Sequence, residues 1–260
     1  STKIAVAGGN KESVQFFDLN LGFIKEIGGS AGTRMTGAHE AIKAIVTDAS
    51  LTSGVNFGFG YWSSSSAGFT SWSGHETTGR ASPCNSRNCL KVKVHKAGAL
   101  RINQIISSVS PGGGTDAMAW ARMAQQYYLH GTHSPIDKNL DCQNSYVLVI
   151  GDGSWYNHNS AKSTVTSLRT AHKIKTFTVA YGGGIQGYAL NNFKTMAQAG
   201  GTNDVIIANT TASLKAQLKA AISQVIASKL SFTAPAITAT IEKGGTLYQA
   251  QFDYAQNKEW

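Results

Sequence analysis

At 260 residues, 42% of them hydrophobic, the chain has room for one large α/β domain, or for one domain with a smaller attachment. Charged residues make up 14%, well under the usual quarter, and the net charge is +9 with a pI of about 9.5. The lysines and arginines are scattered, which argues for a solvated face and against a nucleic-acid footprint, and no apolar stretch approaches the roughly 18 residues of a membrane span.

In chain order, Ser1-Thr2-Lys3 lacks the charged-then-apolar opening of a signal peptide, so a mature or trimmed chain is expected. Residues 3–7 and 13–18 read as two short strands turning at Gly8-Gly9-Asn10, either a hairpin on the domain edge or the remnant of a neighbouring β unit. Residues 1–21 are therefore set apart as an N-terminal β segment. Residues 22–27 are a further strand candidate, running into the loop Gly28-Gly29-Ser30-Ala31-Gly32. Thr36 is expected to cap a helix carrying Ala38, Ile42, Ile45 and Val46 on one face.

Residues 55–62 form an aromatic-rich β run. Residues 63–89 follow as an insertion dominated by Ser, Gly and Thr, of a length usually reserved for functional or mobile loops. Residues 90–94 are a short strand, and Leu100, Ile105, Ile106 and Val109 mark a helix ending before Pro111. The helix over residues 117–128 places Met123, Tyr127 and Tyr128 toward the core. Tyr146-Val147-Leu148-Val149-Ile150 is wholly apolar and reads as a central strand. A polar helix is expected near 160–172, a strand at 175–181, a helix near 190–199 and a strand at 205–208. Leu214, Leu218, Ala221, Ile222, Val225 and Ile226 line one face of a last helix.

Strands alternating with helices imply a doubly wound, mostly parallel sheet flanked by helices, with ligands outside the carboxyl ends of the strands. Residues 231–260 lose the helical period. They read as a β extension leading to a following domain, which sets the main domain at 22–230.

Among the three cysteines, Cys84 and Cys89 share a polar, proline-bearing loop and read as a small disulfide ring from an oxidising compartment. Cys142 is left over: it can pair outside this chain, displace one partner of the ring, or stay a buried thiol.

Two stretches carry the chemistry. Pro111-Gly112-Gly113-Gly114-Thr115-Asp116 delivers a hydroxyl and a carboxylate to a helix start, and the apolar strand ends on Gly151-Asp152-Gly153. Thr115 alone reads equally as an N-cap and Asp152 alone as a turn residue. Together they put hard oxygen donors at one sheet edge, a set that suits magnesium or calcium. Gly182-Gly183-Gly184-Ile185-Gln186-Gly187 fits a dinucleotide fingerprint but falls too late for the first βα turn of a nucleotide unit. No hydrolase elbow, H-E-x-x-H spacing or carboxylate pair stands out, so a binding protein is expected rather than an enzyme.

Several blocks together resemble a von Willebrand factor A domain, and more narrowly that of the PilC/PilY family of type IV pilus tip adhesins. They are Thr33-Arg34-Met35 into Ala38-His39-Glu40-Ala41-Ile42-Lys43, Leu51-Thr52-Ser53-Gly54-Val55-Asn56-Phe57-Gly58, Gly113-Gly114-Thr115-Asp116 and Val149-Ile150-Gly151-Asp152-Gly153-Ser154-Trp155. Phe232-Thr233-Ala234-Pro235-Ala236 and Leu247-Tyr248-Gln249-Ala250-Gln251-Phe252 are similar to that family's lead-in to its β-propeller, and the resemblance spans about residues 22–260.

It implies a metal-ion-dependent adhesion site holding Mg2+ or Ca2+ through an Asp-x-Ser-x-Ser loop, a threonine and an aspartate. Thr115 and Asp152 match the last two. For the first, Glu26-Ile27-Gly28-Gly29-Ser30-Ala31 places Glu26 for the aspartate and Ser30 for a serine. A rival register uses Asp18-Leu19-Asn20-Leu21-Gly22, and in either one hydroxyl ligand is missing. The resemblance further implies an extracellular position at the bacterial surface or pilus tip. The implied partners are a host or surface ligand protein and the minor pilus subunits, with no nucleic acid and no insertion into the membrane. A structural A domain without a working metal site, and a nucleotide-dependent enzyme resting on the 182–187 loop, are the competing readings.

Overall fold

A computed structural model describes residues 2–9, 34–62, 68–70, 89–109, 116–139 and 143–230. The chain divides into two units, Ser1–Leu230 and Ser231–Trp260, and the elements named below belong to the first. The expected β extension at 231–260 lies outside the described residues.

The first unit is a mixed α/β structure. In order it runs β1 (Thr2–Gly9), α1 (Arg34–Val46), α2 (Ala49–Thr52), β2 (Val55–Trp62), β3 (Leu90–His95) and α3 (Gly98–Ile105), whose end tightens into a 3-10 turn at Ile106–Ser108. Then come α4 (Ala117–Tyr128), β4 (Ser145–Gly151), α5 (His158–His172), β5 (Ile174–Tyr181), α6 (Gly187–Gly200), β6 (Ile206–Ala208) and α7 (Thr211–Leu230). The strands form one six-stranded sheet in the order β3-β2-β1-β4-β5-β6. All pairings are parallel except β2 with β3, a hairpin-like antiparallel edge carrying two register shifts.

β1 corrects the sequence reading. A strand at 3–7 was expected either in a hairpin on the domain edge or as the remnant of a neighbouring β unit, and the domain was expected to start at 22. Instead, Thr2–Gly9 runs between β2 and β4, with Ile4 opposite Phe57 on one side and Tyr146 on the other. The cause of the misreading is local. Gly8-Gly9-Asn10 is strong turn chemistry, and a parallel strand needs no hairpin partner in sequence. The strands expected at 13–18 and 22–27 lie outside the described residues.

β4 is buried at all seven positions, between parallel neighbours β1 and β5. α1, α3 and α7 contact one another through α1, while α4 packs on α5 and α5 on α6. The helices bury the faces their periodicity sets. On α1 these are Met35, Ala38, Ala41, Ile42, Ile45 and Val46. On α7 they are Leu214, Leu218, Ala221, Ile222 and Val225. α1 already begins at Arg34, so Thr36 is not its cap but an exposed residue of its first turn. On α3 the buried face is Ala99, Ile102 and Ile105, and Leu100 is exposed.

The largest fully buried side chains are Trp120, Trp155, Tyr61, Tyr128, Tyr181, Phe59, Phe69 and Phe193. Burying an aromatic or aliphatic chain of this size contributes roughly 1.5–3 kcal/mol, so these rings dominate the packing term. Two buried hydroxyls meet backbone: Tyr127 Oη accepts from Val94 N at 2.9 Å, and Tyr128 Oη donates to Tyr146 O at 2.8 Å.

Candidate functional site at the carboxyl edge of the sheet

Asp152 is the first residue beyond β4, and it is buried. A carboxylate removed from water needs a cation or several donors. Here the cation is Arg34, from the first residue of α1: its Nη1 donates to Asp152 Oδ2 at 2.9 Å and approaches the Asp152 carbonyl oxygen at 3.4 Å. The Asp152 side chain is 0% exposed and that of Arg34 16%.

The loop after β5 makes room for the guanidinium. A Cβ on Gly182 would lie 3.0 Å from both Cζ and Nε of Arg34, and its φ of +122° is one that side-chain-bearing residues rarely adopt. Gly182 N donates to Ala208 O at 2.8 Å, tying this loop to the end of β6. The glycines at 182–187 thus serve a turn and a close approach. They follow β5, well after β1 in the chain.

The segment after β4 is pinned from below. Trp155 is buried, with its ring 5.9 Å from Trp120 in a T-shaped contact and 4.1 Å from Phe193. Asn192 Nδ2 donates to Trp155 O at 3.2 Å. Tyr156 O accepts from Ala117 N at 3.1 Å, and Tyr156 bridges Asp116. Asp116, not Thr115, is the N-cap of α4: its carboxylate accepts from Met118 N at 2.9 Å.

Pinned this way, the loop turns Asp152 inward and Tyr156 outward, 47% exposed. Burial, then the Asp116 charge, pushes the Tyr156 phenol up. Tyr188 at the start of α6 is 67% exposed and lies edge-on to His158 at the start of α5, at 6.4 Å. Burial, then Lys162, lowers the His158 imidazole. The edge therefore combines one buried ion pair with two exposed tyrosines.

Of the residues expected to hold a metal, Asp152 stands at the edge as read. Asp18, Glu26, Ser30 and Thr115 lie outside the described residues. Among the described residues no group of three or more His, Cys, Asp or Glu is placed to hold an ion. Among the described donors, Asp152 Oδ2 is engaged by a guanidinium and Asp116 by its own helix. Arg34, Gly182, Tyr156 and Tyr188 were missed as site residues. An arginine heading the first helix, opposite a lone carboxylate after the central strand, was the available signal.

The insertion is clamped at its ends. Cys89 N donates to Gly68 O at 2.9 Å, Tyr61 N donates to Cys89 O at 3.2 Å, and Phe69 N donates to Gln126 Oε1 at 2.8 Å. Cys89 is buried and disulfide-bonded; Cys84 and Cys142 lie outside the described residues.

No family model and no curated protein matches the chain. Among solved structures, proximal thread matrix protein 1 from the mussel byssus is similar at a TM-score of 0.48 and 14% identity, over 86% of this chain and 46% of that one. The chain thus spans about half the length of that protein, and a likeness at this level bears on neither binding nor activity.

Proposed function

We propose that this chain is a binding module of the von Willebrand factor A type, a doubly wound sheet whose carboxyl edge meets a partner. By resemblance to the PilC/PilY adhesins, its place is extracellular, at a pilus tip or bacterial surface. Its partners are a surface ligand protein and the minor pilus subunits. The observation that carries the reading is the strand order, in which the chain crosses from one side of β1 to the other. Ligands of open α/β sheets bind beside such a reversal, outside the carboxyl ends of the strands. That edge here presents Tyr156 and Tyr188 around the Arg34–Asp152 pair. Exposed tyrosines with one apolar face and one polar tip are the residues that protein interfaces favour.

The test is adherence and subunit binding by the purified chain. Tyr156→Ser and Tyr188→Ser are compared with Leu100→Ser, an exposed apolar position on α3. Loss of binding in the two tyrosine variants alone is the expected result. Equal binding in all three, or none by the unaltered chain, favours the structural reading, in which the domain only holds an assembly together.

A further inference from the structure

We propose that the Arg34 guanidinium is the resident cation of the carboxyl edge, standing where a divalent ion would otherwise sit against Asp152. Partner binding at this edge is then independent of metal. This rests on the binding-module reading above.

Two oxygens of Asp152, Oδ2 at 2.9 Å and the carbonyl at 3.4 Å, converge on a single nitrogen, Nη1 of Arg34. A carboxylate and a carbonyl converging on one point are the hard donors that magnesium and calcium take. Here the point is filled by a covalently tethered positive charge. The tether is supported from two sides. Arg34 is held by the first turn of α1, whose Met35 and Ala38 are anchored in the core. Its guanidinium lies against Gly182, where no side chain intervenes. An ion entering this place would have to displace the guanidinium from the Asp152 carboxylate, and low dielectric makes breaking that pairing costly.

The proposal explains how the edge keeps a buried carboxylate although the resembled ion loop lacks a hydroxyl ligand. It also gives an edge that works in any ionic medium.

The test is a melting titration of the intact protein with magnesium, calcium and manganese at millimolar level, against a chelator. The unaltered protein is expected to melt at the same midpoint, within about 1 °C, in every condition. A rise of several degrees that Asp152→Asn abolishes would overturn the proposal. Arg34→Met keeps the length of the stem and removes the charge, so it is expected to gain an ion-dependent rise that the unaltered protein lacks. A variant as indifferent to ions as the parent also overturns the replacement, leaving an ordinary buried pair. Should Arg34→Met fail to fold, Arg34→Gln makes the same comparison. An ion response in the parent leaves the adhesion assay untouched. Failure of the tyrosine variants to affect adhesion leaves the melting result untouched, so the two readings fail separately.

Discussion

Two ion pairs of nearly equal length fasten distant parts of the chain, and they differ in almost everything except length. Arg34–Asp152, at 2.9 Å, joins α1 to the end of β4 with side chains 16% and 0% exposed. Lys219–Asp48, at 2.7 Å, joins α7 to the N-cap of α2 with side chains 57% and 25% exposed. Around the second pair, water and salt screen the charges and offer each an alternative partner. Around the first, the Asp152 carboxylate has no water to return to, and the guanidinium reaches it only in part. Distance alone does not rank these contacts; the solvent around them does.

The largest expected effect is therefore at the buried pair. Asp152→Ala leaves a guanidinium short of its counter-charge and should cost about 3 kcal/mol, read as a lower urea midpoint with an unchanged slope. A loss as small as that of a surface substitution would break the comparison at its strong end.

Acid gives the next effect. Burial, then the Lys43 charge, lowers the His39 imidazole to about 4, against a hydrogen bond to the Val109 backbone that raises it. Below its unfolded value of 6.5, the unfolded chain takes a proton that the folded chain refuses. His39 therefore favours the folded state fully above pH 6.5, and that contribution falls away between 6.5 and about 4, by roughly 2–3 kcal/mol. Urea midpoints taken across that window should decline with pH, and His39→Gln should flatten the decline.

Gly182→Ala adds a Cβ against the Arg34 guanidinium at a φ of +122°, and should cost about 1–2 kcal/mol. It sharpens the comparison by disturbing the buried pair without removing a charge. Smallest is Lys219→Ala. The ammonium and the Ser50 hydroxyl hold Asp48 down at about 2, yet the group is open to solvent, and no measurable change in midpoint is expected.

The parts of this fold that were legible in the sequence are those with a strong local signal. β4 is an unbroken apolar run, and α7 repeats its apolar residues at helical spacing, so both read correctly. β1 was misplaced because its centrality depends on β2 and β4, which arrive some 50 and 140 residues later, and no local pattern records that.

At the site, Asp152 was legible from the way the strand stops. Arg34 was not, because a partner 118 residues away is chosen by the sheet's topology rather than by spacing. Cys89 is bonded, as a cysteine at a clamped loop end should be. Peptide mapping without reductant is expected to join it to Cys84, and a bond to Cys142 would contradict the small ring.

The most direct measurement is a double-mutant cycle by urea unfolding on Arg34→Met and Asp152→Asn, with Lys219→Ala and Asp48→Asn as the surface control. A carboxyl edge organised around its own guanidinium should show coupling of about 2 kcal/mol or more between Arg34 and Asp152, the double variant being no worse than either single one. The control cycle should be additive. Additive losses at Arg34 and Asp152 would contradict the account, because the guanidinium would then not be what keeps that carboxylate in the fold.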